Sequence, residues 1–320
     1  MYTVSAEETA AALPFGALIP ALREGLARGA TTPPRHHHQI DEAAGSTLLL
    51  MPSWRSGGLL GVKLVNVFPE NSASGRPALS SAYVLASADT GEHLGVIDGN
   101  ELTRRRTVAT AALASSYLAR PDSRVHLVVG AGHIGSLAAE AHAAVLGIRT
   151  VLVHDQRREA AAALVTRLRE SGVDAHVADD LDTAIPRADV ISCATLATSP
   201  IIRGELLTPG THLDLVGSFR RDMREADDTC LTRGSLYIDS EIALDESGDL
   251  TQPLADGIIT RDAVVATLPQ LCRREAPGRR DDHQITVFKA VGTALADLAA
   301  AALVHRSRVQ PVGRSTGSSA

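Results

Sequence analysis

The sequence of 320 residues has few aromatic side chains, few cysteines and no long uninterrupted apolar run. Only 3% of its residues are Phe, Trp or Tyr, so the cores must be built mainly from Ala, Val, Leu and Ile. Three cysteines, Cys193, Cys230 and Cys272, have an odd count and no metal-like spacing, which favours a reducing, cytoplasmic compartment. The most apolar late stretch, 290–304, is interrupted by Asp297 and is too short to span a bilayer.

Composition and charge exclude further classes of protein. The net charge of −6 gives no reason to expect a nucleic-acid partner. Glu7 and Glu8 lie near the N-terminus without a cationic flank, so these first residues do not resemble a signal peptide. With 44% hydrophobic and 21% charged residues, the sequence is typical of a soluble globular protein, and its length predicts two domains.

The first third of the chain has the pattern of an α+β domain. Ser5 and Glu8 have the spacing of a capping box at the start of a helix. Leu18, Leu22 and Leu26 recur at helical spacing and predict a second helix. Strand-like runs follow at 47–51, 59–68 and 82–88, and a further helix is predicted at 101–118.

From residue 123 onward, apolar strands alternate with alanine-rich helices. The predicted strands are 125–129, 150–154, 174–177, 190–193, 212–216, 236–239 and 284–288, and the predicted helices include 134–146, 156–171 and 289–305. Such alternation predicts a parallel sheet with right-handed crossovers. The fold class is therefore α/β, a Rossmann-type doubly wound parallel sheet together with the α+β domain. The polar residues 309–320 are predicted to form a flexible tail.

A glycine-rich loop directly follows the strand 125–129 and opens a helix, which is the context of a dinucleotide site. Gly130 can make the tight turn, Gly132 lets the backbone approach a pyrophosphate, and Gly135 lets helix and strand pack closely. The N-terminus of the helix then presents N–H groups and the positive end of its dipole to the phosphates. The loop predicts a nicotinamide dinucleotide cofactor.

Asp155 follows the second predicted strand, roughly 20 residues beyond the loop, where an acidic residue can accept hydrogen bonds from the adenine ribose. This position favours NAD(H), although Arg157 and Arg158 are close enough to make NADP(H) possible. His133 is expected to line the cofactor rather than act as a base. The predicted cofactor contacts are Gly130, Gly132, His133, Ile134, Gly135, Asp155, Gln156, Arg157, Ala194, Thr195 and Ser218.

Five further segments carry a more specific signal than the glycine loop. They are Pro-Arg-His at 34–36, Gly-Val-Lys-Leu-Val-Asn at 61–66, Leu-Thr-Arg-Arg-Arg-Thr at 102–107, Val-Gly-Ser-Phe-Arg-Arg-Asp-Met-Arg-Glu at 216–225 and Thr-Val-Phe-Lys-Ala-Val-Gly at 286–292. With these segments the chain resembles the ornithine cyclodeaminase/mu-crystallin family, from about Leu13 to Ala301.

The resemblance implies a Rossmann domain at 116–289 and a substrate-binding and dimerisation domain built from 1–115 and 290–308. It also implies a homodimer joined through the substrate domains. Family members act on small α-amino or α-imino acids with a tightly held nicotinamide cofactor, so the expected substrate is a small cyclic imino or amino acid.

The resemblance places Arg35, Lys63 and Arg106 around the substrate carboxylate. An arginine fork makes the charge-assisted, bidentate contacts that hold a carboxylate well, and Lys63 adds charge. Without the resemblance, Arg106 reads as part of a solvated helix start and Lys63 as a residue that faces water. Three neighbouring cations are costly together unless an anion joins them. We add Asn66 and Thr107, from the same matched segments, as substrate contacts. The predicted catalytic residues are Lys63 and Arg106.

The run His36-His37-His38 raises the question of a metal site. Adjacent residues on a strand point to opposite faces, so at most His36 and His38 could share a ligand. No further cluster completes a coordination shell, and hydride transfer needs no metal. No metal is therefore expected.

One position departs from the ammonia-releasing members of the family, which carry an Asp that serves deamination where this chain has Phe219. A phenyl ring can neither accept a proton nor activate water, so the sequence favours the Δ1-pyrroline-2-carboxylate (ketimine) reductase branch. The predicted reaction is NAD(P)H-dependent reduction of Δ1-pyrroline-2-carboxylate, Δ1-piperideine-2-carboxylate or both to L-proline or L-pipecolate, with the imine protonated by Lys63 or by a water. The alternatives are an ornithine cyclodeaminase, an alanine or N-alkyl amino acid dehydrogenase, and a non-enzymatic binder.

Overall fold

The computed structural model describes residues 1–309, so the predicted tail lies outside the described residues except for Val309. The chain divides into two compact units. The first comprises Met1–Arg106 and the described residues from Ala294 onward, and the second comprises Thr107–Thr293. The boundaries expected from the sequence, after residues 115 and 289, differ from these by several residues.

The first unit contains a six-stranded sheet and the helices at both ends of the chain. Its strands are β1 (Tyr2–Val4), β2 (His36–Asp41), β3 (Ser46–Trp54), β4 (Leu59–Val67), β5 (Leu79–Ser87) and β6 (His93–Asp98), and its helices are α1 (Ala6–Ala12), α2 (Phe15–Arg28), the first part of α3 (Gly99–Leu118) and α11 (Ala294–Val309). A 3-10 helix spans Pro69–Ser74. The strand order is β1-β6-β5-β4-β3-β2, antiparallel except for the β1–β6 pair.

The period-two pattern of β4 gives this sheet two different faces. Gly61, Lys63 and Val65 are buried, whereas Val62 and Leu64 on the other face are half-buried. Helix α11 packs against β3, β4 and α2. The predicted capping box at the start of α1 is confirmed, and so is the buried leucine stripe of α2.

The second unit is an eight-stranded, fully parallel sheet with helices between its strands. Its strands are β7 (Val125–Val129), β8 (Thr150–His154), β9 (Asp174–Val177), β10 (Val190–Cys193), β11 (His212–Leu215), β12 (Ser235–Ile238), β13 (Val264–Thr267) and β14 (Thr286–Lys289). Its helices are α4 (Ala138–Ala143), α5 (Arg158–Glu170), α6 (Leu181–Ala184), α7 (Asp228–Arg233), α8 (Ala243–Glu246), α9 (Gly248–Ala255) and α10 (Leu268–Arg273), after the remainder of α3. The strand order β13-β12-β14-β11-β10-β7-β8-β9 is that of a doubly wound sheet, which confirms the predicted fold class.

Aliphatic side chains fill both faces of the parallel sheet, as the scarcity of aromatic residues predicts. Leu127 and Val129 belong to a buried cluster on one face, and Val128 to a cluster on the other. The buried residues of both clusters are Ala, Val, Leu and Ile, apart from Cys193 and Cys230.

Two predicted helices are wrong in extent. The helix expected at 134–146 is a 3-10 turn at Gly135–Leu137 followed by the short α4. The helix expected from residue 289 begins at Ala294, because Lys289 belongs to β14 and Gly292 has a positive φ of 81°. Within residues 1–309, no helix has the length and apolarity needed to cross a membrane.

Candidate active site

Lys63 lies on the buried face of β4, in the middle of the sheet of the first unit. The antiparallel register pairs it with Met51 on β3 and with Tyr83 on β5. Its side chain is only 3% exposed, so it does not face water as an isolated lysine in a strand could. A buried ammonium is tolerated only with a partner of opposite charge.

Asp297 on α11 is that partner, and it also binds Arg106. The Lys63 ammonium lies 2.8 Å from Asp297 Oδ2, and Arg106 Nε donates a hydrogen bond of 2.7 Å to Asp297 Oδ1. The Asp297 side chain is fully buried. One carboxylate therefore bridges two cations from β4 and α3.

The pKa values in this cluster reflect burial and the neighbouring charges. Burial lowers the pKa of Lys63 to about 8, with Asp297 opposing the shift and Arg106 and Arg35 adding to it. Burial raises the pKa of Asp297, but the charges of Arg106 and Lys63 more than offset this and hold it below its ordinary value. Lys63 is thus the group of this cluster that titrates near neutral pH.

The remaining predicted substrate residues are placed differently. Arg35 is half-buried and directly precedes β2, near enough for its charge to act on the pKa of Lys63. Asn66 is exposed and lies on the opposite face of β4, because odd and even residues of a strand alternate. The structure does not bring Asn66 to Lys63, and we remove it from the candidate site. Thr107 is half-buried on α3, at the start of the second unit.

Tyr83 adds an unpartnered polar atom beside Lys63. Its side chain is fully buried, and among the described residues its hydroxyl has no hydrogen-bond partner. Burial, followed by the charge of Asp297, raises the pKa of Tyr83 well above its ordinary value, so the phenol stays neutral.

In the second unit, the glycine loop has the shape that a phosphate cradle requires. Gly130 has a φ of 96°, and a Cβ atom there would lie 2.6 Å from the carbonyl oxygen of Ala194. A Cβ atom at Gly135 would lie 1.8 Å from the carbonyl oxygen of Gly130, whereas one at Gly132 would meet nothing within 4 Å. Gly130 and Gly135 thus permit the turn, and the space over Gly132 is open to a ligand.

Asp155 is tied to the backbone around the loop. Its Oδ2 accepts a hydrogen bond of 2.7 Å from the Ala131 N–H, and its Oδ1 accepts one of 2.8 Å from the Arg157 N–H. The Arg157 side chain is 74% exposed, with its Nε 3.6 Å from Asp155 Oδ1, and Arg158 is paired with Asp179. His133 and Gln156 are exposed and Ile134 is half-buried.

Two other predicted cofactor contacts follow β10 and one follows β11. Ala194 and Thr195 are half-buried, and Ala194 borders Gly130. Ser218 is fully buried, and its hydroxyl donates 2.7 Å to the carbonyl oxygen of Met223. Because this hydroxyl is already used within the protein, we withdraw the Ser218 side chain as a cofactor contact.

Glu225 joins these two loops, and the sequence analysis did not single it out. Its Oε1 accepts from the N–H and the hydroxyl of Thr195 at 2.7 and 2.9 Å, and its Oε2 accepts from the N–H groups of Gly217 and Ser218 at 2.7 and 3.2 Å. Lys289 Nζ lies 2.9 Å from Asp249 Oδ2 and 4.0 Å from Glu225 Oε2. These charged side chains are all buried.

A second buried network lies between the parallel sheet and helix α4. Asp214 Oδ2 is 2.8 Å from His142 Nε2, and Asp214 Oδ1 is 3.0 Å from His212 Nε2. His126 Nε2 is 2.9 Å from the Ser192 hydroxyl. Burial lowers the pKa of His126 well below its ordinary value, and the neighbouring His142 adds to this.

The candidate metal ligands do not form a shell in the described part of the chain. His36 and His38 are exposed on β2, with ring centroids 6.2 Å apart. Within residues 1–309, no group of three or more His, Cys, Asp or Glu side chains is placed to hold a metal ion. Phe219 is 44% exposed, with the Arg220 guanidinium over its ring.

The sequence contained a signal for Asp297 but none for Glu225. An acidic residue within the apolar run of the last helix must be paired if that helix is buried, so Asp297 could have been recognised as a partner for Lys63 or Arg106. Glu225 ends the matched segment 216–225, but only the folded chain shows that its carboxylate joins two loops.

Known proteins resemble this chain over almost its entire length. The family model for the ornithine cyclodeaminase/mu-crystallin family matches residues 3–310. A Δ1-pyrroline-2-carboxylate reductase of Paracoccus denitrificans is 39% identical over 262 residues, which cover 81% of this chain and 83% of that protein.

Solved structures share the fold as well. The Δ1-pyrroline-2-carboxylate reductase of Thermococcus litoralis, in complex with NADH and L-proline, has a TM-score of 0.91 and 28% identity, and the match covers 99% of this chain and 100% of that one. An archaeal alanine dehydrogenase dimer with bound NAD has a TM-score of 0.90 and 27% identity, over 98% of this chain and 97% of that one. The chain belongs to the ornithine cyclodeaminase/mu-crystallin family.

Proposed function

We propose that this protein is an NAD(P)H-dependent oxidoreductase that reduces a cyclic ketimine carboxylate. Δ1-Pyrroline-2-carboxylate, Δ1-piperideine-2-carboxylate or both would be converted to L-proline or L-pipecolate. The activity of the Paracoccus relative supports this reaction, as do the ligands of the Thermococcus neighbour. The observation that carries the proposal is the charge balance around Lys63.

That balance leaves a place for a substrate carboxylate. Lys63 and Arg106 contribute two positive charges, and both bind the single carboxylate of Asp297. Arg35 lies near enough for its positive charge to act on Lys63. A cationic cluster at a largely buried site favours an anion, and arginine holds a carboxylate with charge-assisted hydrogen bonds. Asp297 therefore orients Lys63 and Arg106 without cancelling their attraction for the substrate.

Lys63 is the proposed proton donor. Imine reduction adds a hydride to the carbon and a proton to the nitrogen of the C=N bond. With a pKa of about 8, the Lys63 ammonium is mostly protonated at pH 7 and gives up its proton more readily than an ordinary lysine. A fixed partner at Asp297 limits the orientations of the ammonium group.

The second unit fits a nicotinamide dinucleotide, which supplies the hydride when it is bound. The open space over Gly132 and the tight turn at Gly130 suit a pyrophosphate. Asp155 holds the loop through Ala131, and its remaining lone pairs are available to a ribose hydroxyl. We propose that NADH is favoured, and that NADPH is also accepted because the exposed Arg157, beside Asp155, offers positive charge for a 2′-phosphate.

The lyase alternative requires a group that activates water or accepts a proton after β11. Phe219 cannot serve this purpose, and its neighbour Arg220 is paired with Asp222. An alanine dehydrogenase remains the second candidate, because a neighbour at 27% identity carries that name. Its substrates, pyruvate and ammonia, would need the same carboxylate contacts but no ring.

One set of assays separates these reactions. Oxidation of NADH and NADPH is followed with each cyclic ketimine and with pyruvate plus ammonia, and ammonia release from L-ornithine is measured in parallel. We expect NADH oxidation with a ketimine. Ammonia release from ornithine without net NADH consumption would instead identify a lyase, and turnover of pyruvate alone a dehydrogenase.

We also propose a homodimer formed through the outer face of the six-stranded sheet. A row of half-buried aliphatic side chains lies on that face: Leu48, Leu50, Pro52, Leu60, Val62, Leu64, Val84 and Val96. A second copy would remove this apolar surface from water. Light scattering should then give a mass in solution of twice the chain mass of 33.5 kDa. Val62→Glu should lower the measured mass toward that of the monomer.

The compartment proposed is the cytoplasm. Cys193, Cys230 and Cys272 are thiols and not disulfides, and Cys193 and Cys230 are buried. Free thiols suit a reducing environment. Fluorescence microscopy of a tagged chain in its native cell tests this.

A further inference from the structure

The buried charges around Glu225 lie at the edge of the parallel sheet where its strand order reverses. β10 and β11 lie on one side of β7, and β8 and β9 lie on the other. A dinucleotide on such a sheet lies across this crevice, with its adenosine half on the side that carries Asp155. The loops after β10 and β11 therefore belong to the nicotinamide half.

These two loops are held together by one carboxylate. Oε1 of Glu225 binds Thr195 in the loop after β10, and Oε2 binds Gly217 and Ser218 in the loop after β11. Asp249 fixes Glu225 in turn, since its Oδ1 accepts the Glu225 N–H at 2.7 Å. The loop after β10 also borders the glycine loop, at Gly130.

The hydrogen bonds of Glu225 suit the ionised carboxylate. The N–H groups of Thr195, Gly217 and Ser218 cannot accept a carboxyl proton, and both hydrogen bonds to Oε2 come from such groups. Burial raises the pKa of Glu225, and the ammonium of Lys289 opposes that effect. Hydrogen bonds that are made only to the charged form favour that form.

The charges of this cluster do not cancel. Glu225 and Asp249 contribute two negative charges, and Lys289 contributes one positive charge. All three side chains are at most 1% exposed, so water screens the remaining negative charge poorly. The oxidised nicotinamide ring is a cation and the reduced ring is neutral.

We propose that Glu225 is a positioning residue for the cofactor loops, and that its charge makes this half of the site favour the oxidised over the reduced nicotinamide. The inference rests on the proposed function, because it requires a nicotinamide dinucleotide in the second unit. Hydride donation turns the neutral ring into a cation, so a fixed buried anion favours that step. Loop positioning alone would act equally on both redox forms.

The test compares the dissociation constants of NAD+ and NADH in wild type and Glu225→Gln. NADH binding is followed by its fluorescence, and NAD+ by competition. Loss of the charge should raise the Kd for NAD+ several-fold more than the Kd for NADH, because a buried charge acts on the cationic ring and not on the neutral one. Asp222→Asn is the control, because it removes an exposed charge from the same loop.

The outcomes are distinct. A selective loss of NAD+ affinity in Glu225→Gln, absent from Asp222→Asn, supports the proposal. Equal losses for both forms, or no loss, overturn it. If Glu225→Gln does not fold by circular dichroism, Asp249→Asn removes the other negative charge and must shift the ratio in the same direction. A wild-type protein that binds neither NADH nor NAD+ refutes the proposed function instead.

Discussion

The titration of Lys63 gives the most direct test of the candidate site. Its pKa falls from 10.5 to about 8, which corresponds to roughly 3 kcal/mol in favour of the neutral amine. About 90% of the side chains are then protonated at pH 7 and about 10% at pH 9. If the protonated form binds the carboxylate and protonates the imine, kcat/KM for ketimine reduction should fall about tenfold per unit above pH 8.

The assay measures kcat/KM from pH 6 to pH 10 in wild type and in Lys63→Arg. Arginine keeps the positive charge but does not titrate in this range, so the decrease assigned to Lys63 should disappear. Any decrease that comes from the substrate iminium itself remains in both proteins. A decrease at the same pH and of the same size in Lys63→Arg would refute the assignment.

Deprotonation of Lys63 does not itself destabilise the fold at high pH. A lysine whose pKa is lowered by folding binds fewer protons in the folded chain than in the unfolded chain between about pH 8 and pH 10.5. Its contribution to the free energy of unfolding therefore rises with pH across that window. Circular dichroism of wild type at pH 7 and pH 9 checks that the folded state is retained.

Three further predictions concern other residues. Arg106→Ala should raise the KM for the ketimine at least tenfold, because a charged hydrogen bond contributes ~1.5–3 kcal/mol. The control Arg104→Ala, on the same helix, should change this KM less than about twofold. Equal effects of the two substitutions would contradict the site. Asp155→Asn keeps an acceptor for the N–H of Ala131 but loses the negative charge. The ratio of kcat/KM with NADH to kcat/KM with NADPH should therefore fall about tenfold. An unchanged ratio would remove Asp155 from the ribose site. Burial keeps His126 neutral in the folded chain. The free energy of unfolding, measured in urea, should therefore fall as the pH drops below about 6.5, with His126 contributing at most about 1.4 kcal/mol per pH unit. His126→Asn should reduce this pH dependence.

The sequence predicted the parallel sheet better than the ends of its helices. The predicted strand 125–129 matches β7 residue for residue, because a short apolar run bounded by loop residues leaves little choice of register. The late apolar stretch 285–304 gave no such boundary. Only the structure shows that Lys289 belongs to a strand, where it pairs with Asp249, and that Gly292 has a positive φ.

The sequence pointed to the cations of the candidate site and not to its anions. The family resemblance proposed Arg35, Lys63 and Arg106, which lie in short segments with recognisable neighbours, and the structure brings Lys63 and Arg106 together at Asp297. Asp297 comes from a helix 191 positions beyond Arg106, and such a pairing is decided by tertiary packing. Asn66 was predicted only because it lies in the matched segment 61–66. The alternation of side chains along a strand already puts it on the opposite face from Lys63.

The buried ionic clusters of the two units differ in sign, and the two signs match the chemistry proposed. In the first unit, Lys63 and Arg106 share the one carboxylate of Asp297, and this cationic cluster suits an anionic substrate. In the second unit, Lys289 neutralises only one of two carboxylates, and the excess suits a cationic ring. Unbalanced buried charge is costly to folding, so its presence in both units points to ligands that complete it. Ligand-free protein should therefore gain stability when a ketimine analogue with a carboxylate is added, and gain less from its uncharged ester.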